Sequence, residues 1–145
     1  MNFPKIFVYG SLRKGFHNYQ RYLAGKVKKI EPGYVQGTLY FLKNKGYPAL
    51  CYGHNQIIGE ILTLNLPLTK ILPDLDKLEG FISKNHPLNE YNREERLVFN
   101  METHQTESLL VYVFNESNPN CDLKSMIPIH DGDFSKFINE KSFTA

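Results

Sequence analysis

The chain has 145 residues, of which 41% are hydrophobic and 22% are charged, and its formal net charge at pH 7 is +2. These values fit one soluble globular domain over residues 1–145 and exclude a disordered, collagen-like or disulfide-scaffold protein. We expect no nucleic-acid partner, because the net charge is small and the basic cluster of Lys26, Lys28 and Lys29 lacks interleaved aromatic residues.

Targeting signals and cysteine usage limit the function further. No apolar segment approaches the roughly 20 residues that cross a bilayer. The first five residues also lack the charged-then-apolar pattern of a signal peptide. We therefore expect a cytoplasmic protein with no membrane partner. Cys51 and Cys121 stand far apart without a C-x-x-C motif, so neither thiol chemistry nor a metal site is expected.

The first predicted unit is a strand, a turn and a helix. Residues 6–9 are β-branched or aromatic and are stopped by Gly10, which predicts a buried strand. Apolar residues at helical spacing then predict a helix over residues 18–24. Asn18 is its expected N-cap, and Gly25 is the expected left-handed residue at its end.

The middle of the chain, residues 27–64, predicts a curved antiparallel sheet. Its alternating pattern is interrupted at Gly33, at residues 44–46 and at residues 53–55, so we expect three or four strands joined by tight loops. Gly37 and Gly59 lie inside strand patterns, where glycine commonly marks a bulge or a close backbone approach. A small barrel is the expected result.

The second half of the chain alternates helices and strands. A helix is predicted over residues 67–79, where Pro73 implies either a kink or a division into two shorter helices. Strands follow at residues 91–101 and 109–115, and Asp133 is the expected cap of a last helix. We predict one α+β domain: a small, curved, mostly antiparallel β-barrel with a few flanking helices.

Glu79 breaks two local rules at the end of the predicted helix. It falls four residues beyond Leu75, within the apolar stripe that Ile71 and Leu78 also form. It also lies in the last helical turn, which favours cations over carboxylates. Such violations concentrate at functional sites, and both features raise the pKa of a carboxyl group. The alternative is that fraying at Gly80 lets Glu79 turn to water.

The turn YGSLRKG at residues 9–15 leaves a buried strand and enters a helix, where free backbone N–H groups can bind negative charge. Gly10 would let a ligand approach the main chain closely. The motif is not a phosphate loop, a dinucleotide turn or a hydrolase nucleophile elbow, and no histidine is designated as a base for Ser11. An ordinary tight turn remains the alternative.

Several short segments, spread in the right order over nearly the whole chain, resemble one protein family. They are similar to the signatures of γ-glutamylcyclotransferase-like (AIG2-like) proteins, and together they are more specific than any one motif. The segments are FVYGSLRKG at 7–15 with Asn18 just after it, GTLY at 37–40, YPAL at 47–50, LDKLEGF at 75–81, YNR at 91–93, VYV at 111–113 and GDF at 132–134.

The resemblance implies a six- or seven-stranded barrel with a pocket where the Tyr-Gly-Ser-Leu turn meets a buried glutamate. Glu79 matches the family's catalytic acid/base. The matching substrate-binding positions are Tyr9, Gly10, Ser11, Leu12, Tyr91, Arg93 and Tyr112. For Tyr91, Arg93 and Tyr112, a structural role in holding the barrel closed is as good an interpretation as contact with the substrate. The loop at residues 81–90 looks longer than in shorter family members and is expected to border the pocket.

The implied reaction cyclises a γ-glutamyl amine to 5-oxoproline and releases the free amine. The substrate's own α-amine is the nucleophile, so the reaction needs a clamp and a base, with no metal or organic cofactor. The implied partner is a small-molecule γ-glutamyl substrate. The alternative is a binding or scaffold module that keeps the pocket without turnover. The sequence leaves open the leaving amine, the pathway and the oligomeric state.

Overall fold

The computed structural model describes residues 3–141, which form six strands and four helical segments. The strands are β1 (Lys5–Val8), β2 (Val27–Leu42), β3 (Tyr47–Leu64), β4 (Tyr91–Asn100), β5 (Thr106–Phe114) and β6 (Met126–Pro128). The helices are α1 (His17–Tyr22), α2 (Leu68–Glu79), α3 (Phe134–Lys141) and a 3₁₀ turn at Leu123–Ser125. Within the described range, no helix is long and apolar enough to cross a membrane.

Five strands close into a barrel in the order β3-β1-β5-β4-β2, with β2 pairing back onto β3. The pair β1–β5 is parallel and the other pairs in the ring are antiparallel. The short β6 adds to β2 outside the ring. The predicted class, a small mostly antiparallel barrel with flanking helices, is therefore confirmed. The closed ring has five strands, fewer than the six or seven that the resemblance implied.

The predicted three or four strands over residues 27–64 are in fact two long strands, β2 and β3, with 16 and 18 residues. Their register shifts where Gly37 pairs with Asn55 but Thr38 pairs with Cys51. Residues 52–54 are absorbed as a bulge in β3 and do not form a separate loop. A Cβ on Gly37 would lie 2.8 Å from the Cys51 carbonyl oxygen. The close approach inferred from this glycine is thus confirmed, and it lets the ladder continue through the bulge.

The start of the first helix differs from the prediction. Asn18 lies inside α1 and does not cap it, because Phe16 occupies the N-cap position without a side-chain hydrogen bond. Helix α2 is continuous, and Pro73 lies within it. At α3, Asp133 is the predicted cap: its Oδ1 accepts the Lys136 N–H at 3.2 Å.

Two apolar clusters hold the domain together. One fills the barrel interior, where Phe7 and Ile61 meet Phe134 from α3. The other lies outside the barrel, where Ile71 and Leu75 of α2 pack with neighbouring strand residues. Burial of such side chains stabilises the fold by roughly 1.5–3 kcal/mol each. The second cluster presses α2 against the barrel wall and so fixes the position of the C-terminal end of this helix.

Candidate active site

A pocket of about 570 Å³, counting its open mouth, lies where the end of β1 meets the end of α2. Its wall combines the turn after β1, the start of β3 and single residues from β4 and β5. The structure therefore brings the predicted turn and the predicted glutamate together. The lining residues are Phe7, Val8, Tyr9, Gly10, Ser11, Leu12, Asn18, Tyr47, Pro48, Leu78, Glu79, Tyr91 and Tyr112.

The turn after β1 presents unused backbone donors to this pocket. It is closed by the Arg13 N–H, which donates to the Gly10 carbonyl at 3.0 Å. The carbonyl of Ser11 accepts a helix N–H of α1 at 3.2 Å. Among the described residues, no acceptor receives the N–H of Gly10, Ser11 or Leu12. Three neighbouring donors are thus available to an anionic or carbonyl group of a ligand.

Gly10 is required at this turn by the opposite wall. A Cβ at this position would lie 2.6 Å from Cγ of Pro48, and both residues line the pocket. The Ser11 hydroxyl is held from the other side, since its Oγ accepts a hydrogen bond from Nδ2 of Asn18 at 2.8 Å. Asn18 thus orients the turn, and this explains its presence inside α1 in place of a capping role.

Glu79 is the last residue of α2, and its helix end is well formed. Gly80 adopts the left-handed conformation with φ +67°, and the Phe81 N–H donates to the Asp76 carbonyl at 2.9 Å. The carboxylate lies in the pocket wall and is not released to bulk water by fraying. Burial, followed by repulsion from Glu90, raises the pKa of Glu79 to about 8. A proton acceptor with this pKa can both take up and return a proton near neutral pH.

Four tyrosines surround the Glu79 carboxylate, but their hydroxyls are committed elsewhere. Tyr9 donates to the Tyr112 carbonyl oxygen at 2.7 Å, and Tyr91 donates to the Pro48 carbonyl oxygen at 2.6 Å. Both rings are buried. Burial raises the pKa of each hydroxyl well above its ordinary value, so both remain neutral donors.

The other two hydroxyls donate to carboxylates. Tyr112 donates to Oδ1 of Asp76 at 2.7 Å, and Tyr47 donates to Glu90. As a result, no side-chain hydrogen bond within residues 3–141 reaches the Glu79 carboxylate. This lack of donors is the local reason why burial raises its pKa so strongly.

Arg93 lies apart from the residues that line the pocket. It forms a short ion pair with Asp76, and its guanidinium lies 4.9 Å from the centre of the Phe81 ring. Its contacts are therefore those of a residue that holds β4 against α2. Tyr91 and Tyr112, by contrast, reach the pocket wall with their rings while their hydroxyls brace the neighbouring chain.

The residues of the pocket lie within the part of the chain that matches a known protein family. A family model described as gamma-glutamyl cyclotransferase, AIG2-like, matches residues 6–136. The chain belongs to this family. A Methanocaldococcus jannaschii protein named "Putative gamma-glutamylcyclotransferase" is 30% identical over 119 residues, which cover 77% of this chain and 85% of that protein.

Two solved structures show the same fold at low sequence identity. An AIG2-like protein from Mus musculus has a TM-score of 0.61 and 20% identity, with 86% of this chain and 83% of that chain covered. A protein from Arabidopsis thaliana has a TM-score of 0.67 and 17% identity, with 98% and 87% covered. At these identities the likeness establishes the architecture and carries no residue roles.

Sequence reasoning missed part of the pocket wall. Tyr47 and Pro48 line it, and both lie in a segment that resembles the family without suggesting a role. The loop at residues 81–90 was expected to border the pocket, but none of its described residues is among the lining residues. The loop folds back on itself instead, because the buried Asn89 accepts the Ile82 N–H at 2.6 Å and donates to the Ser83 carbonyl at 2.7 Å.

Proposed function

We propose that the protein is a γ-glutamylcyclotransferase that converts a γ-glutamyl amine or amide into 5-oxoproline and a free amine. The reaction joins two parts of one substrate, since the α-amine attacks the γ-carbonyl carbon and closes a five-membered ring. Positioning alone can be worth about 7–11 kcal/mol in such intramolecular steps. The pocket needs only to hold the substrate folded and to help move protons from the attacking nitrogen to the leaving nitrogen.

Glu79 is the residue we assign to proton transfer, and its place in the pocket wall opposite the turn, without a side-chain hydrogen bond among the described residues, is the observation that carries the proposal. A carboxylate with a pKa of about 8 is a strong enough base to take a proton from the α-ammonium group of the substrate. The freed amine then forms the new C–N bond. As the original amide C–N bond breaks, the leaving nitrogen receives this proton from Glu79 and a second proton from the ring nitrogen, which keeps one hydrogen; the amine leaves as an ammonium ion and no net proton is consumed.

The N–H groups of Gly10, Ser11 and Leu12 are assigned to the negative charge of the substrate. They suit either its α-carboxylate or the oxyanion that develops on the γ-carbonyl oxygen. No lysine or arginine is among the described residues that line the pocket. Backbone donors are therefore the positive groups that this pocket offers, which explains why the turn must approach the ligand closely.

A serine-nucleophile mechanism is less well supported. The Ser11 oxygen accepts its hydrogen bond from the Asn18 amide, and no histidine is among the described lining residues. An amide N–H donor cannot remove the hydroxyl proton. Ser11 therefore serves better as part of the clamp than as an attacking group.

The deciding experiment incubates the purified protein with a panel of γ-glutamyl amines, γ-glutamyl amino acids and γ-glutamyl peptides, and measures 5-oxoproline and free amine in equal amounts. α-Glutamyl compounds are the matched control, because their amide carbonyl cannot form the same ring. Turnover of any γ-linked compound supports the proposal. Saturable binding of γ-linked compounds without product would instead establish a non-catalytic binding module on the same fold.

A further inference from the structure

Glu90 lies against the C-terminal end of α2, and four contacts hold it there. Its N–H donates to the Gly80 carbonyl at 3.0 Å, and its own carbonyl accepts the Asn115 N–H at 3.0 Å. Its carboxylate accepts the hydroxyl of Tyr47 and lies 2.6 Å from Nζ of Lys45. The backbone bonds fix Glu90 to the helix end, and the side-chain bonds fix its carboxylate to the pocket wall.

We propose that Glu90 is a positioning residue for the reaction at Glu79: it holds Tyr47 in the pocket wall and anchors its carboxyl group against the end of α2 that carries Glu79. This inference rests on the proposed function and deepens it. Glu90 itself is not among the described residues that line the pocket, so it acts on the reaction through its neighbours.

The surroundings of Glu79 leave Glu90 as the charge that matters most. The groups that face Glu79 from the packed strands are four tyrosine hydroxyls, all kept neutral because burial raises their pKa values; they belong to Tyr9, Tyr47, Tyr91 and Tyr112. Asp76, one turn earlier on α2, is paired with Arg93. After burial, repulsion from Glu90 raises the pKa of Glu79.

The ion pair between Glu90 and Lys45 allows two variants to be compared, one that should lower the titration midpoint of Glu79 and one that should raise it. Lys45 offsets part of the charge of Glu90, and its side chain is 41% exposed. Replacing Glu90 by glutamine removes the negative charge and keeps an acceptor for Tyr47. Replacing Lys45 by methionine leaves the same negative charge without its partner. If the field of Glu90 acts on Glu79, the two variants must shift the protonation of Glu79 in opposite directions.

The test is a ¹³C NMR titration of protein labelled at the glutamate side-chain carboxyl, with the Glu79 signal identified by its absence in Glu79→Gln. We expect a midpoint near 8 in the wild type. Glu90→Gln should lower the midpoint of Glu79 by roughly 0.5 to 1 pH unit. A closer and fully buried charge would have a larger effect. Lys45→Met should raise the midpoint. If 5-oxoproline is formed, the acidic limb of kcat/KM should move in the same two directions.

The titration separates this inference from the proposed function, because it needs no turnover. Absence of 5-oxoproline with opposite NMR shifts would remove the proposed function and leave the coupling between the two carboxylates established. Equal midpoints in all three proteins, or shifts of the same sign in both variants, would overturn the inference. Loss of the Lys45 charge also raises the midpoint directly, so Lys45→Met supports the inference only together with a lowered midpoint in Glu90→Gln; if Glu90→Gln fails to fold, an unchanged or lowered midpoint in Lys45→Met still refutes the role of Glu90.

Discussion

The protonation of Glu79 should make the stability of the protein fall as the pH rises. Its pKa is about 8 in the folded protein and 4.5 ordinarily, so the folded state binds more protons than the unfolded state between these values. The free energy of unfolding therefore decreases from about pH 4.5 to pH 8, and the full difference corresponds to about 5 kcal/mol. Water in the open pocket reduces this figure.

Glu79→Gln removes this dependence and keeps the size of the side chain. Relative to the wild type, the variant should gain stability as the pH rises, by up to about 3.5 kcal/mol between pH 5 and pH 8 and by at least about 1 kcal/mol once screening in the pocket is allowed for. At neutral pH, 5-oxoproline formation should fall at least about 100-fold while ligand binding persists.

The assay is urea unfolding of both proteins at pH 5, 6, 7 and 8, followed by circular dichroism. The quantity of interest is the pH dependence of the difference between the two free energies of unfolding, since other titrating groups cancel in it. A difference that stays constant from pH 5 to pH 8 would refute the assignment of a strongly raised pKa to Glu79. Undiminished turnover in the variant would eliminate Glu79 as the proton-transfer residue.

Three further outcomes are expected. Turnover should survive exhaustive EDTA treatment, because the substrate's amine needs no metal activation; activity lost with EDTA and restored by one added metal would contradict this. Gly10→Val should raise KM or abolish binding more than Ser11→Ala does, since its side chain would meet Pro48; the reverse order would favour a serine nucleophile. Arg93→Gln should cost about 1 kcal/mol in urea unfolding through loss of its pair with Asp76, with KM within about twofold; a large KM increase at unchanged stability would make Arg93 a ligand contact.

The local pattern pointed to Glu79 and to the turn but left a frayed helix end and an ordinary tight turn as alternatives, and the family resemblance then joined the two in one pocket. Helical periodicity alone placed Glu79 on the apolar face of α2, and the structure puts it in the pocket wall. The same kind of reasoning could not count the strands, since the register shift at Gly37 depends on which residues of β3 it faces. Asn18 was misassigned as a cap because its acceptor, the Ser11 oxygen, is provided by the folded turn.

Hydrogen bonds between residues far apart in the sequence could not be predicted from the sequence. Tyr47 and Glu90 are 43 residues apart, and nothing in either segment announces that they bond. Their meeting depends on barrel closure, which brings the start of β3 beside the chain that precedes β4. Glu90 can be seen in the sequence as a charged residue, but its effect on the pKa of Glu79 can be inferred only once the fold is known.

The contrast between Asp76 and Glu79 on α2 separates a structural role from a proposed chemical one. Asp76 is satisfied by Arg93 and by the Tyr112 hydroxyl, so its charge is neutralised where it stands. Glu79, three residues later, has tyrosines around it whose hydroxyls all donate to other acceptors. A carboxylate left without protein donors in a pocket can meet the ammonium group of a ligand, and natural sequences keep such a cost where it serves function. In the proposed reaction Glu79 takes a proton from that ammonium group and gives it back, and a pKa of about 8 suits this exchange near neutral pH.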